Sequence, residues 1–480
     1  MLKIQDRAAG MRGSAVSGKA ANAGFCILLF MFLSALVFAL IKNHLPDWDE
    51  SVYIGMGKYI YSLGATGGWE MLRPLGIPLL IGALWKAGLS PIIGTKLIAI
   101  AFSAACLLLV YILGKNMFSP LAGLFAALAL AATPAFFYNS AYGISDIPSA
   151  VFALIALYTL VKGRSNFIAG MFAGIAFLFR FPQGLFFAAL LLAILIAGFK
   201  KPKLAKSIFM CCAGFLIIIL PFLAFNYFMY GNEVSPMVAI LRPMLLASGE
   251  QANPSYAQIV YPIDLVKSSP LLILSVAGLV YFIRKKDYSI PKVLMLAATA
   301  LFMIYFSAIE NKQMRFALAF LPYVALFCGC GFSELVKNRK PMAYAALILS
   351  IAISLPVAYL GLAESGIFNS PDYSVEEFYS YFNANPANGA VLATMPHPMA
   401  YSDIRLVPMY YPSRIPLKEI EPKISAVMLV PSALYCRQED EECGSRLESF
   451  ITDVTNNGER AFSKEYYGKS FEIYSLNPLN

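Results

Sequence analysis

The side chains best suited to chemistry are ionisable residues at the ends of long apolar runs. Asp47, Asp49 and Glu50 lie in "HLPDWDESVY", directly after one such run, and Asp146 opens another in "NSAYGISDIPSAVF". Basic residues hold similar positions: Arg73 in "MLRPLG", Arg180 in "FLFRFPQG", Arg242 in "ILRPM", and Lys312 and Arg315 beside Glu310 in "ENKQMRF". Ionisable groups at membrane depth are costly, so their placement there is a functional signal. A carboxylate of suitable pKa can take a proton from a hydroxyl or amine nucleophile, while Arg and Lys neutralise a phosphate that departs as an anion. A sugar carried on a lipid phosphate would present its anomeric carbon at such an interface, with the lipid tail between helices.

Each residue also has a purely structural reading. Asp49 could cap the helix that follows it, and Asp146, two residues before Pro148, could cap another. Arg180 could snorkel to lipid headgroups. Lys312 and Arg315 could be ordinary loop charges, although basic residues are usually depleted from outer loops. Asp47 reads as a solvated loop residue, and His44 and His397 are too isolated to suggest a metal or catalytic histidine.

The elements that position these groups follow from composition. The 480-residue chain is 59% hydrophobic and 14% charged, against roughly 25% charged in soluble domains. Continuous apolar runs, rather than alternating ten-residue segments, exclude a β-barrel and indicate a mainly α, polytopic membrane protein. Windows near 23–42, 92–113, 120–139, 146–162, 167–180, 182–199, 207–228, 268–283, 292–309, 316–335 and 342–361 suggest about eleven transmembrane helices. With residues 1–22 as a cytoplasmic tail, the cytoplasmic connections "GKNMFS", "KGRSN", "KKPKLAKS", "IRKKDYSIPK" and "KNRKP" are all basic. The net charge of +9 therefore reads as a topology signal rather than a nucleic-acid footprint. The opening carboxylates then face outward, in a first external loop over 43–91. Its two amphipathic helices lie along the membrane surface, with a transmembrane reading of the second kept as an alternative.

From about residue 363 to 480 the apolar density falls, and the sequence reads as an external α/β domain following a 23–362 membrane domain. "SVEEFYSYFNANP" suggests a helix capped by Ser374 with Glu377 three residues on; "GAVLATM" and "ISAVMLVPS" suggest strands. "EECGSRLESFITDVTNNG" suggests a helix stopped by glycine, and "KSFEIYSL" a closing strand. Cys436 and Cys443 are candidates for a disulfide in an oxidising exterior. The other six cysteines lie in apolar runs and read as small buried hydrophobes.

"DESVYIGMGKYI", "RPLGIPLL", "SDIPSAVFALIALY" and "KQMRFALAFLPYVAL" together resemble, in order, the motifs of the GT-C glycosyltransferases of the protein-mannosyltransferase and aminoarabinose-transferase-like branch. The resemblance covers roughly residues 25–335. It implies a GT-C fold and inverting sugar transfer from a polyprenyl-phosphate donor, dolichyl or undecaprenyl, to an acceptor on the outer side of the cell membrane. It assigns catalysis to Asp49, supported by Glu50 and Asp146, and donor-phosphate binding to Arg315, Lys312, Arg180 and Arg73. It implies no bound catalytic metal; no cofactor is firmly implied, and a divalent ion is not supported by any His-rich site. No β-trefoil insertion and no Trp-Trp-Asp signature is evident, and the acceptor stays open among protein, lipid-linked glycan, polymer and lipid. A lipid-linked-saccharide flippase or transporter, and a membrane scaffold with a binding domain, are the competing classes.

Overall fold

The computed structural model describes the chain apart from residues 1, 72, 200–201, 232–259, 287, 310–311, 339–347, 349–351, 355, 358, 364–365, 370, 410–422, 435, 437–440 and 477–480, with side chains from residue 18 onward. The span expected at 342–361 and the residues Arg242 and Glu310 fall largely or wholly outside the described residues.

Helix α1 runs Leu2–Lys42, so the tail expected over 1–22 continues into the first apolar segment, Gly18–Lys42, as one helix. Two short helices follow, α2 (Trp48–Tyr61) and α3 (Gly76–Lys86). Eleven residues at about 1.5 Å each make α3 far too short to cross a bilayer core. The helical body continues with α4 (Pro91–Met117), α5 (Pro120–Ala131), α6 (Pro134–Ser140), α7 (Asp146–Val161), α8 (Asn166–Phe179), α9 (Gly184–Gly198) and α10 (Leu204–Tyr230). It closes with α11 (Val260–Ser268), α12 (Leu274–Lys285), α13 (Ile290–Ala308) and α14 (Leu321–Asn338).

Among the described residues five helices are long and apolar enough to span a membrane, or six if α5 and α6 form one span. That pair is bent by 71° where Pro134 removes a backbone donor and cannot continue the preceding turn. The windows at 146–162 and 167–180 become helices of 16 and 14 residues, and the window at 268–283 is broken at Pro270. The expected eleven exceeds what length and composition alone support. Leu36, Leu107, Leu154, Phe186, Phe302 and Phe320 belong to one continuous buried core. Only 22% of the α10 window is buried, and Phe209, Leu216 and Leu220 point outward, as lipid-facing helix surface requires.

The C-terminal unit is a five-stranded sheet of order β2-β1-β3-β5-β4, formed by β1 (Ala390–Ala393), β2 (Leu406–Pro408), β3 (Ile424–Leu429), β4 (Gly458–Tyr466) and β5 (Lys469–Leu476). The first three strands pair parallel and the last two antiparallel. α15 (Cys443–Asn457) packs on β4 and β5, with Phe450 and Val454 in the core. Strands β2 and β4 were not anticipated; β4 alternates weakly because it is an edge strand and mostly exposed. The long helix expected from Ser374 is instead a 3-10 turn and two single-turn helices, Glu376–Tyr379 and Tyr381–Ala384. Its cap is Asp372, whose Oδ1 accepts the Ser374 N–H at 2.9 Å, while Glu377 reaches Lys464 on β4 at 2.7 Å. Cys436 and Cys443 form a disulfide with Cα atoms 5.5 Å apart.

Candidate functional site

Asp47 begins α2: its N–H donates to Glu50 Oε2 at 3.3 Å, and its carbonyl accepts the Ser51 hydroxyl at 2.8 Å. It is therefore the helix cap rather than a free loop residue, and Asp49 is released from that role. One turn of helix turns Asp49 and Glu50 inward, the former 8% and the latter 0% exposed. Neither could remain charged there without partners.

Asp49 has two. Arg73 Nη2 lies 2.7 Å from Oδ1, and Arg315 Nη1 lies 2.6 Å from Oδ2. Burial works against the carboxylate, but the two guanidiniums prevail and hold Asp49 well below the usual carboxylate range. Arg73 also meets Glu70 Oε1 through Nε at 3.3 Å. For Glu70 burial outweighs that contact and raises its carboxyl. One arginine thus joins two carboxylates whose proton affinities are pushed apart, an arrangement typical of acid–base sites.

Glu50 turns to the other side of α2, where Lys96 Nζ on α4 sits 2.9 Å from its Oε2. Its Oε1 is buried with no hydrogen-bond partner among the described residues. Asp146, the first residue of α7, pairs with Arg180 at the end of α8. Neither the capping of α7 nor headgroup snorkelling describes these two, since both side chains are largely buried against each other. The Phe316 ring ties this pair to the first: Arg180 and Arg315 lie 5.3 and 5.7 Å from its centroid. Tyr53, one turn along α2 from Asp49, hydrogen-bonds Ser145 at 3.0 Å, and Arg73 stands 5.8 Å over its ring.

The structure thus brings together Asp49, Arg73 and Arg315 and, across Phe316, Asp146 and Arg180, drawn from α2, the loop before α3, α7, the α8 end and the 3-10 turn Met314–Ala319, while Glu50 faces away to Lys96. Lys312 does not join them: its ammonium donates to Ile309 O at 2.8 Å. Sequence reading missed Glu70 and Lys96. Lys96 was visible as a lone charge inside the apolar run "PIIGTKLIAIAF", the signal that flags intramembrane function. Among the described residues no three His, Cys, Asp or Glu side chains converge on a metal-sized space.

Residues 73–225 match the family described as dolichyl-phosphate-mannose-protein mannosyltransferase. No curated protein matches the chain in sequence comparison. Among solved structures, ArnT from Cupriavidus metallidurans bound to undecaprenyl phosphate aligns with a TM-score of 0.66 and 11% identity, covering 95% of this chain and 98% of that one. The Archaeoglobus fulgidus oligosaccharyltransferase AglB, in complex with an inhibitory peptide and a dolichol-phosphate, aligns at 0.57 and 14% identity over 95% of this chain and 75% of its own. The arabinofuranosyltransferase AftD from Mycobacteria aligns at 0.53 and 11% identity over 97% of this chain and 40% of its own. The chain thus shares the GT-C fold of these proteins along 95% of its length, and its residues 73–225 are similar to the protein-mannosyltransferase family.

Proposed function

We propose that this protein transfers a sugar from a polyprenyl-phosphate donor to an acceptor at the outer face of the cell membrane, with inversion and with Asp49 as general base. The observation that carries this reading is Asp49 clasped between Arg73 and Arg315 on helix α2 of a GT-C fold. Two proteins of the same fold bind undecaprenyl phosphate and dolichol-phosphate, and phosphate is the ligand for which paired guanidiniums are best suited.

The geometry suggests how a carboxylate held acidic by two arginines serves as a base. With both arginines on Asp49, its proton affinity is held below the usual carboxylate range. An incoming donor phosphate competes for the same guanidiniums and frees the carboxylate as it binds. The acceptor oxygen then attacks the anomeric carbon on the face opposite the phosphate. Asp49 takes the acceptor proton as the bond from carbon to phosphate oxygen breaks, and the electron pair leaves on the polyprenyl phosphate. Arg73 and Arg315 stabilise that leaving charge, and Arg180 reinforces it from across Phe316. Glu50 and Lys96 fix the helix that carries Asp49, and Glu70 competes with Asp49 for Arg73.

Orientation follows the charge rule: the N-terminus is cytoplasmic, and the unit after about residue 363 is extracytoplasmic, where the Cys436–Cys443 disulfide is stable. This topology takes about eleven spans, of which five or six of the described helices qualify by length and composition.

The test is transfer by the purified protein in nanodiscs, from a panel of undecaprenyl- and dolichyl-phosphate pentoses and hexoses. Asp49→Asn should abolish turnover while Asp47→Asn, at the helix cap, retains it. An Asp49→Asn protein turning over at the wild-type rate would sink the assignment.

A further inference from the structure

The two arms that build the site, helix α2 and the loop before α3, are both held by one short stretch of the C-terminal unit, residues 397–406. On the loop side, Gly67 N–H donates to Ile404 O at 2.7 Å and Leu406 N–H donates to Gly67 O at 2.8 Å, a parallel bridge against the outer edge of β2. Gly67 has φ +77°, and a Cβ there would come within 2.1 Å of Gly55 O on α2, so only glycine allows this approach. Six residues further on, Arg73 grips Asp49.

On the helix side, Lys58 is 2% exposed, and its ammonium meets Asp403 Oδ1 at 2.8 Å and Ser402 O at 3.1 Å. Trp48 packs edge-on against His397. Met399 lies over Gly55, where a Cβ would meet its sulfur at 2.1 Å. Lys58 contacts no member of the carboxylate–arginine cluster among the bonds described, yet it is buried at a cost that a surface contact would not require.

We infer that the C-terminal unit is a clamp that sets the register between α2 and the Gly67–Arg73 segment, and that Lys58, through Asp403, is a positioning residue for Asp49. The assignment of Asp49 as the reacting carboxylate rests on the function proposed above; the clamp itself rests on the contacts alone. Loss of the ion pair frees α2 to shift against the loop, which separates Arg73 from Asp49 by a fraction of an ångström to an ångström. Misplacement on that scale costs roughly 10–100-fold in turnover.

The experiment compares full-length wild type, Lys58→Met, Lys58→Arg and Asp403→Asn in nanodiscs by backbone hydrogen exchange and by donor kinetics. The expected result in Lys58→Met and Asp403→Asn is exchange about tenfold faster over residues 48–56 and 66–73 and at Leu406. Exchange in β3, β5 and the transmembrane helices should stay at wild-type rates, and Lys58→Arg should restore protection. Turnover should fall with less change in donor KM. Unchanged exchange at both segments in both variants overturns the clamp, as does a rise spread evenly over the whole chain. If the wild type transfers no sugar from any donor in the panel, the proposed function fails, and the exchange rates still decide the clamp.

Discussion

Replacing Arg73 by Met removes one of the two cations that keep Asp49 ionised in a site only 12% exposed at the Asp49 side chain. An opposite charge at contact distance lowers a carboxylate by about 1–3 pH units, each worth about 1.4 kcal/mol. Arg73 is 22% exposed, so screening favours the lower half of that range, about 1.5–2.5 kcal/mol. Because Arg73 also holds Glu70 at 3.3 Å, the single variant reports on both carboxylates. A cycle of wild type, Arg73→Met, Asp49→Asn and the double variant isolates the Asp49 share. Chemical denaturation in bicelles from pH 3 to 8 is the assay. The Asp49 carboxyl is depressed in the folded protein, so the stability it contributes is present above the unfolded value of about 3.9 and is lost as pH falls through the lower folded value. The gap between wild type and Arg73→Met should therefore be constant from about pH 5 to 8 and close towards pH 3. A coupling below about 0.5 kcal/mol at pH 7, or a gap that widens on acidification, would refute the view that Arg73 holds Asp49 ionised.

Three further outcomes follow from the same structure. Lys96→Met leaves Glu50, 0% exposed, without its cation and should cost about 3–5 kcal/mol at pH 7; Lys96→Met with Glu50→Gln should recover most of that loss in the same denaturation assay. Burial pushes His397 down to about 4, so stability should decline as pH falls from the ordinary histidine value of about 6.5 towards that figure. A His397→Gln protein should show a flatter melting profile over pH 4–6.5. The disulfide closes a seven-residue separation, for which the chain-entropy relation gives about 2.5 kcal/mol, so reduction with dithiothreitol should lower the stability of the C-terminal unit by about that amount.

Much of this protein was legible without coordinates because the bilayer is a simple solvent. Apolar runs must be helical where no water satisfies the backbone, and charged residues at their ends stand out against a chain with only 14% charge. Asp49, Glu50, Asp146, Arg73, Arg180 and Arg315 were each identifiable on that ground, and all but Glu50, which faces Lys96, converge. Short apolar runs were harder to read. The helices at Asp146–Val161 and Asn166–Phe179 look like spans by hydropathy, yet they are only 16 and 14 residues long, and Asp146 at the start of one meets Arg180 just past the end of the other.

Pairing could be decided only in three dimensions. Sequence proximity joins Asp49 to Glu50, but successive helical residues point in different directions. Asp49 therefore faces Arg73 and Arg315 while Glu50 faces Lys96. Asp47 looked like the idle member of the opening trio and proved to be the cap that begins α2. Lys312 looked like a partner of Arg315 and turns to a carbonyl instead. Composition pointed to a chain that enters a membrane and to acids and bases gathered at the ends of its apolar runs, because hydrocarbon tolerates them poorly without partners. Which acid meets which base depended on helix rotation and on a glycine at 67 that lets the C-terminal sheet reach the loop carrying Arg73. The contacts made by the C-terminal unit join residues such as Lys58 and Ser402, 344 positions apart, and no local sequence signal specifies them.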